Sequence, residues 1–195
     1  MIIGVLALQG AFREHIRMIR MCGEEAREIR LPEELDSVDA LIIPGGESTT
    51  ISKLMVEYGF PGRLKSMVKS GKPVMGTCAG LILLAGSLQG KRQKLLNLID
   101  IDVKRNAYGR QIESREVDIE IPAIGPEPFH AVFIRAPQIE SAGPKVEALA
   151  TYQGKIVLAR QKNILICCFH PELTDDTRIH RYFLEMASNE KSKQA

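Results

Sequence analysis

The chain has 195 residues, 45% of them hydrophobic, enough for one sizeable domain with a real core. Its 26 Lys and Arg against 24 Asp and Glu leave a net charge of +2 in scattered positions, which argues against nucleic acid or an anionic membrane and for small molecules or proteins as partners. No apolar run approaches the roughly 20 residues of a membrane span, and Cys22, Cys78, Cys167 and Cys168 lack the spacing of a disulfide framework or a paired C-x-x-C zinc site, which points to a reducing, cytoplasmic setting.

In chain order, Ile2 to Leu8 is expected to be a strand; it has no basic flank and soon meets Arg13, Glu14 and His15, unlike a signal peptide. Phe12, Ile16 and Ile19 recur at helical spacing and predict a crossover helix toward a second strand at 39–43. The loop Pro44-Gly45-Gly46-Glu47-Ser48-Thr49 follows, then a helix to about Tyr58, with Ser48 or Thr49 as its cap. A strand begins at Pro73 and an apolar helix at Cys78. Strand patterns follow at 102–105, 117–121, 132–135, 146–152, 155–159 and 164–169, and a final helix starts near Thr174. The alternation predicts an α/β fold with a parallel sheet, whose carboxyl edge is where ligands bind. The expected organisation is one domain over 1–188 and a polar tail over 189–195.

Gly76-Thr77-Cys78-Ala79-Gly80 has the G-x-S-x-G form of a nucleophile elbow with cysteine in place of serine. The glycines let strand and helix approach closely, the thiol is expected at an accessible tip, and a helix N-terminus favours thiolate, the reactive species. His170-Pro171-Glu172 supplies company. Proline holds His170 extended, where residues two apart point the same way, so Glu172 can orient the imidazole while the other ring nitrogen faces Cys78. Acyl chemistry on cysteine also needs backbone donors for an oxyanion. Ala79 N–H supplies one and Gly46 the other; the Pro44-Gly45-Gly46 loop lacks the Gly-Lys-Ser/Thr ending of a phosphate loop.

Together these motifs resemble the class I, triad-type glutamine amidotransferases, and the likeness covers nearly the whole chain. Gly45-Gly46-Glu47-Ser48-Thr49, Arg105-Asn106-Ala107-Tyr108-Gly109-Arg110-Gln111 and Phe133-Ile134-Arg135-Ala136-Pro137 are similar in order and spacing to the glutaminase subunits of pyridoxal 5'-phosphate synthases. The resemblance implies a flavodoxin-like three-layer sandwich with a central, mostly parallel sheet plus antiparallel strands. It implies catalysis by Cys78, His170 and Glu172, and a glutamine site lined by Gly46, Glu47 and Ser48 and completed by Arg105, Ile134 and Arg135. It also implies a synthase subunit that accepts the ammonia within a large hetero-oligomer. Nucleophilic and acid–base chemistry needs no cofactor.

Two positions depart from the pattern: Tyr108, where phenylalanine is frequent, and Arg115, where an aromatic is usual. Cys22, Cys167 and Cys168 are expected to be core residues. A metal site on Cys168, His170 and Glu172 lacks a further ligand. His15, His130 and His180 have no motif partner and are expected to be structural or solvated. The rival readings are the glutaminase of another ammonia-using synthase, of the imidazole glycerol phosphate type, a thiol peptidase or chaperone of similar fold, and a non-catalytic binding subunit that retains the motifs without turnover. Consecutive glycines in the oxyanion loop further suggest a loose loop that a partner orders.

Overall fold

A computed structural model describes residues 1–90, 93–105 and 114–194. In chain order its elements are β1 (Ile2–Leu6), α1 (Phe12–Met21), β2 (Glu25–Ile29), β3 (Ala40–Ile43), α2 (Ser48–Glu57), α3 (Phe60–Lys69), β4 (Val74–Thr77), α4 (Ala79–Leu84), β5 (Ala85–Gln89), β6 (Ile99–Lys104), β7 (Ser114–Ile119), β8 (Phe129–Ile134), β9 (Gln138–Ala142), β10 (Glu147–Tyr152), β11 (Lys155–Gln161), β12 (Ile164–Cys167) and α5 (Arg178–Gln194). The main sheet has seven strands in the order β10-β11-β12-β4-β3-β1-β2, parallel from β12 to β2, with β11 and β10 added antiparallel. A three-stranded sheet, β5-β6-β9, pairs β5 with β6 in parallel and β6 with β9 antiparallel, and the pair β7-β8 is antiparallel.

The connections explain the layers. From β1 through α1 to β2 the chain steps toward one edge of the sheet, whereas from β3 through α2 and α3 to β4 it steps toward the other. Crossovers between parallel strands are right-handed, so α1 lies on one face and α2 with α3 on the opposite face. The direction of stepping reverses between β1 and β3, and the carboxyl ends of strands at such a reversal border a crevice. β3 and β4 are buried throughout, as continuous apolar runs between two helical layers must be.

Several elements differ from expectation. β2 was not anticipated because Glu25-Ala26-Arg27-Glu28-Ile29 buries only Ala26 and Ile29, the pattern of an edge strand covered on one side. The apolar run after Cys78 makes a helix of only six residues and then turns into β5. The strand expected to run to Phe169 ends at Cys167. The polar segment from Asn189 continues α5 as far as Gln194.

Candidate active site

The elbow joins β4 to α4. Cys78 has φ 48° and ψ −101°, a conformation costly for a residue with a Cβ and characteristic of functional turns. It persists because its surroundings leave little alternative. Cys78 N–H donates to the Cys167 carbonyl at 2.8 Å. A Cβ on Gly80 would lie 2.0 Å from the Ile43 carbonyl oxygen, and one on Gly76 would lie 2.7 Å from the Gly80 carbonyl carbon. Both flanking glycines are therefore demanded by close backbone approach. The thiol is less open than expected: Cys78 is only 7% exposed, and its Sγ donates a long hydrogen bond, 3.8 Å, to the Ile134 carbonyl.

His170 follows β12, and its N–H donates to the Val132 carbonyl at 2.8 Å, which ties it to β8. His170 Nδ1 and Glu172 Oε1 are 2.7 Å apart. The pair meets by a different route from the extended segment expected, because Pro171–Leu173 forms a single 3₁₀ turn that folds the carboxylate back under the ring. Burial works against a charged His170, but hydrogen bonding to Cys78 and Glu172 outweighs it and raises the imidazole above its ordinary range. Burial likewise opposes charge on Glu172, yet nearby His15 and the bond to His170 hold its carboxyl below the usual value. The structure thus brings Cys78, His170 and Glu172 together as a thiol, an imidazole and a carboxylate in series, an arrangement able to serve as nucleophile, base and orienter. Cys168 leaves the group: it lies beyond the strand, with its thiol on the Ile156 carbonyl at 3.6 Å.

The Pro44-Gly45-Gly46 loop, expected to be loose, is tied by hydrogen bonds. Gly45 N–H donates to Thr77 Oγ1 at 3.1 Å, the Gly45 carbonyl accepts from Ala11 N–H at 3.0 Å, and Glu47 N–H donates to Gln9 Oε1 at 2.8 Å. Gly10 makes this possible. With φ +104° it brings its backbone so near that a Cβ would stand 1.9 Å from the Gly45 oxygen. In a trans peptide, the N–H of Gly46 points opposite to that carbonyl.

Glu47, not Ser48 or Thr49, caps α2: its carboxylate accepts from Thr49 N–H at 3.1 Å and Thr50 N–H at 2.6 Å. Partial burial opposes its charge, but the Thr50 hydroxyl and these N–H groups prevail and hold the carboxyl at about 2. Arg105 reaches Glu47 at 3.0 Å and Thr49 Oγ1 at 3.1 Å, so Arg105 and Glu47 share one wall. Ser48 is buried and bonded to Gln93 at 3.2 Å. Ile134 contributes a backbone carbonyl at the thiol, and the adjacent Arg135 has φ 45°, a second strained residue beside the site. Ala79 begins α4 directly after Cys78. Asn106 to Gln111, including Tyr108, lie outside the described residues. Arg115 is accommodated by Tyr152, bonding its hydroxyl at 3.0 Å with the guanidinium 5.8 Å from its ring centre.

Residues 5–189 match the SNO glutamine amidotransferase family. The chain belongs to this family. It is 57% identical to pyridoxal 5'-phosphate synthase subunit PdxT of Pelotomaculum thermopropionicum, over 94% of this chain and 93% of that protein. It is 56% identical to the protein of the same name from Moorella thermoacetica, over 94% and 98%. A solved structure described as a glutamine amidotransferase superposes with a TM-score of 0.92 at 49% identity, covering 95% of this chain and 98% of that one.

Sequence reasoning missed the histidines behind the triad. His15 and His180 are fully buried, with His15 Nδ1 3.0 Å from His180 Nε2. The available signal was position: His15 shares the apolar face of α1 with Ile16 and Ile19, and His180 sits beside Ile179 and Phe183. His130, by contrast, is exposed and bonded to Asp118 at 2.8 Å and Glu116 at 3.1 Å.

Burial, reinforced by His15, pushes His180 down to about 3. Between that value and the ordinary 6.5, the unfolded chain binds a proton that the folded chain does not. Stability therefore falls as pH drops through this window, by up to about 1.4 kcal/mol per pH unit from this group. Urea unfolding at pH 7 and pH 5 should show the loss in the wild type and a markedly smaller one in His180→Leu; equal losses would remove His180 as the cause.

Proposed function

We propose that this chain is the ammonia-producing subunit of a pyridoxal 5'-phosphate synthase, with Cys78, His170 and Glu172 hydrolysing glutamine. The observation that carries the reading is the buried series of thiol, imidazole and carboxylate at the strand ends, with the 2.7 Å bond between His170 and Glu172. His170 takes the thiol proton as Sγ attacks the side-chain amide carbon of glutamine. The tetrahedral oxyanion is received by the N–H groups of Ala79 and Gly46. Collapse expels ammonia with the proton returned by His170, leaving a glutamyl thioester on Cys78. Water, deprotonated by His170, then attacks the thioester and glutamate leaves. Every group required is a side chain or backbone N–H of the chain itself, and no cofactor takes part.

Glu47, held ionised at the mouth and paired with Arg105, suits the amino acid head of the substrate, with Gly46, Ser48, Ile134 and Arg135 lining the remainder. Residues 1–188 form the single glutaminase domain. The four free cysteines fit a reducing cytoplasm. No helix among the described residues is long and apolar enough to cross a membrane.

The deciding experiment measures ammonia release from glutamine, by the chain alone and with the synthase subunit, and pyridoxal 5'-phosphate formation when pentose and triose phosphates are added. Glutamine-dependent ammonia release coupled to product formation is expected. Release without product in the presence of the synthase would redirect the chain to another ammonia-using enzyme, and peptide cleavage without glutamine turnover would make it a thiol peptidase.

A further inference from the structure

Behind the triad, His15 stands where α1 meets the elbow, entirely buried. Its Nε2 is 3.1 Å from Thr77 Oγ1 and 3.3 Å from Glu172 Oε2, while its Nδ1 is 3.0 Å from His180 Nε2. Thr77 Oγ1 also accepts the N–H of Gly45. One imidazole therefore touches both halves of the site: the carboxylate that orients His170, and the hydroxyl that holds the oxyanion loop. Glu172 Oε2 is buried with no hydrogen bond satisfying it among the described residues, and His15 Nε2 is the polar group that faces this charge.

The proton positions follow from these neighbours, since ring tautomers are inferred from partners. A lone pair at His15 Nε2 would face a carboxylate oxygen and repel it, so Nε2 carries the hydrogen. Nδ1 is then an acceptor and takes the N–H of His180 Nε2. His180 Nδ1, which has no hydrogen-bond partner among the described residues, is left as a lone pair rather than a stranded buried N–H. Both rings are neutral, in keeping with their burial.

The geometry points to His15 as a positioning residue of the glutaminase: its neutral Nε2–H steadies Glu172 and, through Thr77, the Gly45 loop, so that base and oxyanion donors are aligned together, with His180 setting its tautomer. This rests on the glutaminase reading. Positioning acts on the transition state more than on bound glutamine, so its loss should appear in kcat rather than KM.

The test compares two amides in the complex with the synthase subunit. In His15→Gln the amide nitrogen reaches the place of Nε2; in His15→Asn it reaches only the place of Nδ1. The expectation is a kcat about 30-fold below wild type for His15→Asn with KM within about 3-fold, and recovery of most of that loss in His15→Gln. In a Glu172→Gln background the step from His to Asn at position 15 should shrink to about 3-fold or less, because the group through which it acts is already gone. Equal losses for Asn and Gln, or the same factor in both backgrounds, would reduce His15 to a packing residue. Nitrogen-15 NMR of the wild-type histidines gives a readout independent of any variant and of turnover: Nε2–H at His15 is expected, and Nδ1–H would overturn the inference. A wild-type complex that turns over no glutamine would instead bring down the glutaminase reading beneath it.

Discussion

Cys78→Ala is expected to lower glutamine turnover by at least about 10⁴-fold while the chain remains folded. In the proposed reaction the sulfur forms the bond to the substrate, and neither Ser48 nor Thr77 can replace it: Ser48 is held by Gln93, and Thr77 is occupied by Gly45 and His15. The fold should tolerate the change because what sustains the elbow is backbone. The bond from residue 78 N–H to Cys167 survives, the glycine contacts at 76 and 80 are untouched, and alanine bears the same strain at φ 48° that cysteine bears. Beyond its hydrogen bond with His170, the thiol contributes a long contact to a carbonyl, and neither holds the backbone of the turn. Ammonia release and thermal melting, measured on the same preparation, decide the matter. A folded variant with near-wild-type turnover would remove the nucleophile from this site. A variant that fails to fold would show that the sulfur, rather than the glycines, stabilises the elbow.

The parts of this site that were legible in the sequence are those whose chemistry is local. Cys78 announces itself through glycines two residues away on either side, and His170 with Glu172 through an intervening proline, because the steric demands that shape each motif act within a few residues. Even there the reasoning from local geometry was incomplete: His170 and Glu172 meet through a 3₁₀ turn rather than along a strand. What stayed hidden depends on contacts across the sheet. Gln9 and Gly10 follow β1 and meet the loop after β3; Thr77 ends β4 and meets a histidine from α1; His180 comes from the last helix. No window of sequence contains both partners of any of these pairs. The strands show the same division. Fully buried β3 and β4 read as apolar runs, whereas β2, one-sided and charged, carries too little signal to distinguish it from a loop.

The glycines of Pro44-Gly45-Gly46 illustrate how a right residue type can have a different physical reason, and they lead to the second large effect. Glycine was expected there to let the backbone approach a substrate. In the structure, Gly45 is small because of the base: a Cβ on it would lie 2.4 Å from His170 Cε1, 2.9 Å from Nδ1 and 3.4 Å from Cys78 Cβ. The backbone conformation of Gly45 is not one reserved for glycine, so alanine is excluded by the neighbours and not by φ. Neither neighbour can yield without cost. The ring is fixed by Glu172 at Nδ1, its backbone by the bond of the His170 main-chain N–H to the Val132 carbonyl, and the loop by Thr77 and Ala11. Gly45→Ala must therefore turn the imidazole away from the thiol or displace the loop, and in the proposed mechanism either loss removes a transition-state interaction. A fall in kcat of about 10³-fold is expected, with a stability loss of about 1–3 kcal/mol typical of an overpacked site. Gly46→Ala is the control. Its Cβ would meet Gln9 Oε1 at 2.5 Å and Gly10 Cα at 3.0 Å, so Gln9 must release Glu47 N–H and the loop must shift slightly; its nearest contacts are with Gln9 and Gly10 rather than with His170, and a smaller loss of about 30-fold is expected. Steady-state kinetics of the two folded variants should rank Gly45→Ala well below Gly46→Ala; equal rates, or a Gly45→Ala variant close to wild type, would mean that the loop moves freely and that the contact with His170 does not hold the base in place.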